Sequence, residues 1–419
     1  MLRTRARRLV ARTIVSRPAY RAFIRLPATA TLVARAAFRT GRDHILRQAL
    51  HRLERHRPGA VSPLLLRADL LTFEGRYEEA WALAERAAKL DPASPAAAAR
   101  VVKLCDRTRD EESATRAVVS AVTSFPRSVE VMWQAAMTCR NAERYDRIAH
   151  HWQEAADVRT DLPRVVRQLT SAAARAERLD AAVEWYRRAT EVLLDYAGPA
   201  PRPVVTRLAG LGARSALRDL CHALEDGGIQ YFFVAGTALG LVREGGPLGA
   251  DQDLDVGVFD ADWDRDRLIA LFTDHPRFEL DLHPQTTRVS LRHRGGSPVD
   301  IFRFYEEGGR VWHDGVFVRW HNSPFEVTRR RIGGLDLPLP ADTERYLTEC
   351  YGDWRTPYPG FDAFTDDAPN MEITWPEYHR LHLVRRGYER LATGDHAGAA
   401  AELRRADESR LAESIDDRR

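Results

Sequence analysis

Small and hydrophobic residues recur with a period of 34 along the first half of the chain. One repeat position holds Ala80, Ala114, Ile148 and Ala182, and a second holds Ala87, Ala121, Ala155 and Ala189. Small residues at fixed positions let paired helices approach closely, and repeats of this length stack as helical hairpins. The pattern predicts an all-α solenoid of about five hairpins over residues 27–196.

The segment Gly75–Pro92, GRYEEAWALAERAAKLDP, resembles the second half of a tetratricopeptide repeat. The concave face of such a solenoid can hold a peptide or a partner protein. The aromatic residues of the repeats are expected in the core rather than on a binding surface; they are Tyr145, Trp152, Trp185 and Tyr186. We therefore expect the repeats to position a partner rather than to perform chemistry.

Two segments border the repeats. Residues 197–203 contain three prolines, which lack N–H donors and disfavour helical neighbours, so this segment is predicted to be a linker. Residues 1–26 form a basic segment, and the first 42 residues contain eleven arginines and no acid. Such a segment can lie on an anionic membrane surface, although a solvated helix packing on the repeats explains the same pattern.

After the linker, the helical period gives way to alternating apolar strands. This change predicts an α/β domain with a mixed sheet over residues 204–370, followed by a repeat-like helical hairpin over 371–419. Helices are predicted at 204–226, 238–243 and 263–275, and strands at 230–234, 278–282, 288–293, 299–305 and 311–319. A further strand is expected to carry Asp253 and Asp255.

The candidate chemistry lies in this domain. Side chains alternate across a strand, so Asp253 and Asp255 share one face, and Asp300 follows in the apolar strand SPVDIFRFY. Hard carboxylate ligands suit Mg²⁺ or Mn²⁺, and such an ion would share substrate phosphate oxygens. The three acids are therefore predicted to be catalytic and to bind the metal. The alternative is that Asp253 and Asp255 only solubilise an edge strand.

A phosphate site is predicted just before the acids. Gly236 allows close backbone approach, and Thr237 is expected to cap the following helix, whose free N–H groups favour an anion. Arg243 is a candidate clamp for phosphate because its planar guanidinium binds two oxygens, although an ordinary surface arginine explains it equally well. An ordinary turn at Gly236 remains the alternative to a phosphate site.

Two motifs carry a family resemblance. GTALGLVREGG followed by DQDLDVGV resembles the core motif of the LicD and fukutin-related family, with Gly236, Thr237, Arg243 and the acids Asp251, Asp253 and Asp255 on its positions. LDLPLPADTERYLTECYGDWRTPYP resembles the closing segment of that family. The sequence departs from the family pattern at Ala250, where Trp is frequent, and at Gln252, where Asp is frequent.

The resemblance implies a nucleotidyltransferase fold and a metal-dependent phosphotransferase. It implies transfer of phosphocholine or a polyol phosphate from a CDP-activated donor to a glycan or polyol polymer of the cell surface. Asp251, Tyr351, Asp353 and Trp354 are candidate pocket residues on this basis. Two alternatives remain open: nucleotidyl transfer from a triphosphate to a small molecule or protein, and a repeat scaffold with a decayed transferase domain.

Composition and charge restrict the binding partners and the cellular location that we expect. The net charge is only +3, so bulk attraction to nucleic acid is not indicated. The four cysteines are scattered singly, without the spacing of a zinc site or a disulfide framework. Without an apolar run long enough for a transmembrane helix, we expect a cytoplasmic protein, in contact with the inner face of the membrane if the basic segment binds lipid.

Overall fold

The computed structural model describes residues 27–56, 59–156, 162–195, 212–249, 251–281, 287–358 and 360–418. The basic segment 1–26, the linker 197–203 and Ala250 lie outside the described residues. Internal contacts divide the chain into two compact units. The sheet unit comprises described residues 27–56, 69–76 and 212–375, and the repeat unit comprises 59–68, 77–195 and 376–418. Residues 27–56, predicted within the repeats, thus group with the sheet.

The described residues between 27 and 195 contain ten helices. They are α1 (Pro27–Arg39), α2 (Asp43–His56), α3 (Val61–Phe73), α4 (Tyr77–Leu90), α5 (Pro95–Thr108), α6 (Glu111–Ser124), α7 (Val129–Thr138), α8 (Ala142–Ala156), α9 (Leu162–Arg175) and α10 (Leu179–Leu194). From α4 to α10, consecutive helices pack on each other except for α7 and α8, and α7 packs mainly on α5 and α9. The first position of the 34-residue repeat is buried: at most 2% of each side chain is exposed in Ala80, Ala114, Ile148 and Ala182.

The aromatic residues of the repeats lie in the core, as predicted. Trp152 is fully buried, and the buried Trp185 donates its indole N–H to the Tyr145 hydroxyl over 2.9 Å. Arg144 is also buried, with ion pairs to Asp106 and Glu111 of 2.7 Å each. A buried charge is tolerated only when paired, so this network fixes neighbouring hairpins against each other.

The sheet unit contains ten strands within the described residues. They are β1 (Phe232–Phe233), β2 (Leu254–Phe259), β3 (Phe278–Asp281), β4 (Arg288–His293), β5 (Pro298–Glu307), β6 (Arg310–Asp314), β7 (Val318–Asn322), β8 (Val327–Ile332), β9 (Leu335–Pro340) and β10 (Met371–Ile373). The main sheet has the order β1-β2-β5-β6-β7-β10, and β4 also pairs with β5 and carries β3. Strands β2 and β5 are parallel and the other pairs antiparallel, so the sheet is mixed, as predicted.

Four α-helices and a 3-10 turn complete this unit within the described residues. They are α11 (Ala213–Asp226), α12 (Ala235–Glu244), the turn Asp260–Asp262, α13 (Arg265–Phe272) and α14 (Thr343–Tyr351). Apolar residues of α11, α12 and α14 share one core with β1, β2 and β5. Four elements differ from the prediction, and one of them is β10, a strand within the segment 371–419 that was predicted to be a helical hairpin.

The predicted strand over 311–319 is two strands, β6 and β7, because Gly315 donates its N–H to the Val318 carbonyl and closes a turn. The predicted helix over 263–275 is shorter, because the Asp264 side chain caps α13 at Arg267. The hairpin β8–β9 was not predicted, since exposed arginines replace the apolar alternation along β8.

The C-terminal helices belong to the repeat unit. They are α15 (Pro376–Ala392), α16 (His396–Arg405) and α17 (Ser409–Asp416), so a third helix follows the predicted hairpin. Tyr388 of α15 packs on Tyr186 of α10, with ring centroids 5.5 Å apart. The buried Glu408 accepts hydrogen bonds of 2.7 Å from Arg187 and Arg380. These contacts join the chain end to the last repeat helix.

Within the described residues, every helix is too short or too polar to cross a membrane.

Candidate active site

The start of α12 is a strained turn that is stabilised by a side chain of another helix. Ala235 has a φ of +46°, which lies in the left-handed region that residues other than glycine rarely adopt. The buried Tyr346 hydroxyl accepts the Ala235 N–H over 3.1 Å. Strain of this kind, of order 1–3 kcal/mol, persists only where surrounding contacts determine the conformation. Tyr346 of α14 therefore helps to set the conformation of the turn that carries Gly236.

Thr237 has a different role from the one predicted. Helix α12 begins one residue after Val234 and has no side-chain cap, and Thr237 lies within its first turn. The Thr237 hydroxyl accepts the backbone N–H of Asp255 over 2.8 Å. The capping prediction is wrong because this hydroxyl is directed at β2. Thr237 instead fixes the first turn of the helix to the strand that carries the acids.

The acids predicted to act together occur on neighbouring strands. Asp255 of β2 and Asp300 of β5 are direct partners in the parallel register, so their side chains project from the same face of the sheet. Asp253 precedes β2 by one residue and is partly buried, whereas Asp255 is 9% exposed. Beyond the acids, this face becomes aromatic: a Cβ at Gly257 would lie 2.5 Å from the Phe232 ring. The acids thus mark the polar end of an otherwise packed face.

Burial and mutual repulsion dominate the electrostatics of these acids. Burial, followed by repulsion from Asp300 and Asp251, raises the pKa of Asp253 to about 7. Burial, followed by repulsion from Asp253, raises the pKa of Asp255 well above its usual range. Burial also raises the pKa of Asp251 to about 6. A cation bound here would offset this repulsion, so the site favours one.

Asp251 lies against the start of α12. A Cβ at Gly236 would lie 2.3 Å from Asp251 Oδ2, so a larger residue than glycine would displace this carboxylate. Asp251 Oδ1 accepts the Gln252 N–H over 2.9 Å, while the buried Oδ2 has no hydrogen-bond partner among the described residues. Gly236 thus makes room for the Asp251 carboxylate at the N-terminus of α12. The sequence had indicated Asp251 only as a candidate pocket residue.

Two residues of β4, Arg288 and Ser290, were missed. Ser290 is the antiparallel partner of Asp300 and donates its hydroxyl to Asp300 Oδ1 over 2.5 Å. Arg288 Nη1 lies 3.4 Å from Asp300 Oδ2. The alternation in RVSLRH showed that these two side chains share a face, but only the pairing of β4 with β5 shows that this face carries Asp300.

Arg243, the predicted phosphate clamp, lies in the last turn of α12. Seven residues separate it from Gly236, which is about 10 Å along a helix axis. Its Nη1 donates to the Trp354 carbonyl over 3.1 Å. Arg243 therefore connects α12 to the segment after α14 at the opposite end of the helix from the predicted phosphate site.

The three remaining candidate pocket residues, Tyr351, Asp353 and Trp354, lie in different environments. Tyr351 is partly buried, and burial, then Cys350 and the acid cluster, raises the pKa of its phenol well above the usual range. Trp354 is 6% exposed and belongs to the core. Asp353 is exposed and accepts the Thr356 hydroxyl over 2.6 Å. The negative charge of Asp251, Asp253 and Asp255 thus acts on the Tyr351 phenol.

The donor chemistry of the site suits a hard divalent cation. Its ligands would be carboxylate oxygens: the buried Oδ2 of Asp251 has no hydrogen-bond partner among the described residues, and the burial and repulsion that raise the pKa of Asp253 and Asp255 are costs that a bound cation would offset. Within the described residues, however, no three His, Cys, Asp or Glu side chains are grouped closely enough to hold one ion. Asp300 instead faces Ser290 and Arg288.

Comparison with known proteins agrees with this geometry. Residues 228–342 match the family model described as LicD/FKTN/FKRP, nucleotidyltransferase domain. The chain is 25% identical over 178 residues to mouse ribitol-5-phosphate transferase FKTN, and 23% identical over 176 residues to the human protein of that name. Each alignment covers 39% of this chain and 38% of the relative. An uncharacterized protein of Rickettsia prowazekii is 23% identical over 159 residues, covering 35% of this chain and 58% of its own.

Proposed function

We propose that the protein is a phosphotransferase, because residues 228–342 match the family model described as LicD/FKTN/FKRP, nucleotidyltransferase domain. It transfers a phospho-alcohol, either phosphocholine or a polyol phosphate, from a CDP-activated donor to a glycan or polyol polymer. The observation that carries this proposal is the pairing of Asp255 with Asp300 on one sheet face, fixed by Thr237 to the start of a helix.

In this mechanism, Asp253 and Asp255 would hold Mg²⁺ or Mn²⁺, and the ion would supply positive charge for the donor diphosphate. The first turn of α12 supplies backbone N–H groups at the end of the helix that favours anions. Asp300, oriented by Ser290, lies beside them and accepts the proton of the attacking alcohol. Positioning and electrostatic stabilisation supply most of the rate enhancement, as is usual for phosphoryl transfer.

The polyol-phosphate donor has specific support. The fukutin relatives are named ribitol-5-phosphate transferases, although the alignment spans only 38% of their length. The proposal therefore takes from them the class of donor alcohol, and the acceptor class remains the glycan or polyol polymer implied by the sequence motifs.

The decisive experiment measures products. The purified protein is incubated with Mg²⁺, CDP-ribitol or CDP-choline, and a panel of glycan and polyol-polymer acceptors. Acceptor-dependent release of CMP is expected. Release of pyrophosphate from a nucleoside triphosphate would instead show nucleotidyl transfer, and failure to bind any metal–nucleotide complex would favour the scaffold.

A matched pair of variants assigns the activity to the site. Asp255→Asn removes a buried charge with little change in volume and is expected to lower turnover at least about 100-fold, the effect typical of losing a principal electrostatic group. Asp353→Asn makes the same change at an exposed carboxylate and should retain turnover. Full turnover by Asp255→Asn would refute the proposed role.

A further inference from the structure

We propose that Arg288 binds a phosphate of the donor diphosphate, as the protein's own cation opposite the metal-binding acids. This inference rests on the proposed function and deepens it, because it assigns a substrate contact that the motifs around Gly236 and Asp253 do not contain.

The position of Arg288 follows from strand register. Strands β2, β5 and β4 place Asp255, Asp300 and Ser290 in one row across the sheet, on a common face. Arg288 lies two residues from Ser290 along β4 and so projects from that face as well. Neighbouring strands are about 4.8 Å apart, so the long arginine side chain can reach an anion held over the acids.

The guanidinium of Arg288 retains hydrogen-bonding capacity. Its Nη1 makes a long contact of 3.4 Å with Asp300 Oδ2, and its buried Nε has no hydrogen-bond partner among the described residues. The side chain is only 17% exposed and lies over the Phe302 ring, with Cζ 5.9 Å from the centroid. A buried donor without a partner is costly, and a phosphate oxygen would satisfy it.

Charge supports the same assignment. Four carboxylates, those of Asp251, Asp253, Asp255 and Asp300, repel one another here, and Arg288 is the cation that favours ionisation of Asp253. A diphosphate brought to such a site needs positive charge besides one divalent ion. Arg243 donates instead to the Trp354 carbonyl at the far end of α12.

The test compares CDP with CMP in Mg²⁺, by calorimetry or thermal shift on the full chain. Arg288→Ala is expected to weaken CDP binding about 10- to 100-fold, the effect of losing charge-assisted hydrogen bonds, and CMP binding by less than about 3-fold. The CDP affinity of Arg288→Lys should lie between those of the wild type and Arg288→Ala, because lysine keeps the positive charge but lacks the planar guanidinium. Added guanidinium should restore part of the CDP affinity of Arg288→Ala.

A control separates phosphate binding from positioning of Asp300. Ser290→Ala removes the 2.5 Å hydrogen bond to Asp300 without changing charge, and it should leave the preference for CDP over CMP intact. The inference is overturned if Arg288→Ala weakens CDP and CMP equally, or if Ser290→Ala reproduces its effect. Folding is checked by circular dichroism, and Arg288→Lys serves if the alanine variant unfolds. A wild-type protein that binds neither nucleotide would overturn the proposed function itself.

Discussion

Replacing Asp253 with asparagine should stabilise the metal-free protein at pH 8 while reducing its stabilisation by Mg²⁺ with CDP. The pKa of Asp253 is raised from 3.8 to about 7, so the folded protein holds a proton that the unfolded chain releases above pH 4. The stability that this proton contributes is present below pH 4 and is lost as the pH rises through 7. Over that interval the loss is at most about 4 kcal/mol, at about 1.4 kcal/mol for each pH unit.

The neighbouring acids titrate together with Asp253, so the gain in Asp253→Asn includes relief of repulsion on Asp255. The other acids still bear the cost of being ionised while buried, so Asp253→Asn recovers only part of the lost stability. We expect its free energy of unfolding to exceed that of the wild type by about 1–4 kcal/mol at pH 8 in EDTA. The gain should shrink towards zero as the pH approaches 4. Mg²⁺ with CDP should then stabilise the wild type more than the variant.

Urea unfolding of the full chain at pH 4, 6 and 8, followed by fluorescence and circular dichroism, measures these differences. Asp353→Asn is the matched control, because its carboxylate is exposed and makes a local bond to Thr356. Loss of stability in Asp253→Asn at pH 8 without metal, or an equal gain at pH 4, would refute the electrostatic reasoning.

Three further predictions concern packing and burial. Gly236→Ala should weaken Mg²⁺–CDP binding at least about 10-fold in a titration, because its Cβ would lie 2.3 Å from a buried carboxylate oxygen, while unfolding temperature changes little. Arg144→Met should destabilise the repeat unit by about 3–5 kcal/mol in urea melts, because it leaves the buried Asp106 with only the half-exposed Arg140 as a partner, whereas Arg140→Ala keeps the buried pair with Arg144 and should cost less than about 1 kcal/mol. Burial lowers the pKa of His313 to about 3, so the contribution of this residue to stability should fall by about 1.4 kcal/mol for each unit that the pH drops from 6.5 towards 3, and the stability of His313→Phe relative to the wild type should rise by the same amount.

Local pattern alone determined the repeats. The 34-residue period places Ala80 and its equivalents at helix contacts, and those contacts form between neighbours in the chain, so sequence distance and spatial distance agree. The same holds for β4, whose alternation in RVSLRH gave its bounds, Arg288–His293, because strand periodicity depends on adjacent residues.

Strand pairing was decided only by the tertiary structure. The sequence placed Asp255 and Asp300 on strands, but their register depends on parallel pairing between residues 45 positions apart, which no local pattern encodes. Pairing of β4 with β5 brings Ser290 and Arg288 to Asp300, and the course of β2 past α12 directs the Thr237 hydroxyl to a backbone N–H rather than to a cap. The sequence by itself thus determined which residue types are available for the chemistry. The structure decided which of them meet, because contacts between distant segments depend on packing of the whole domain.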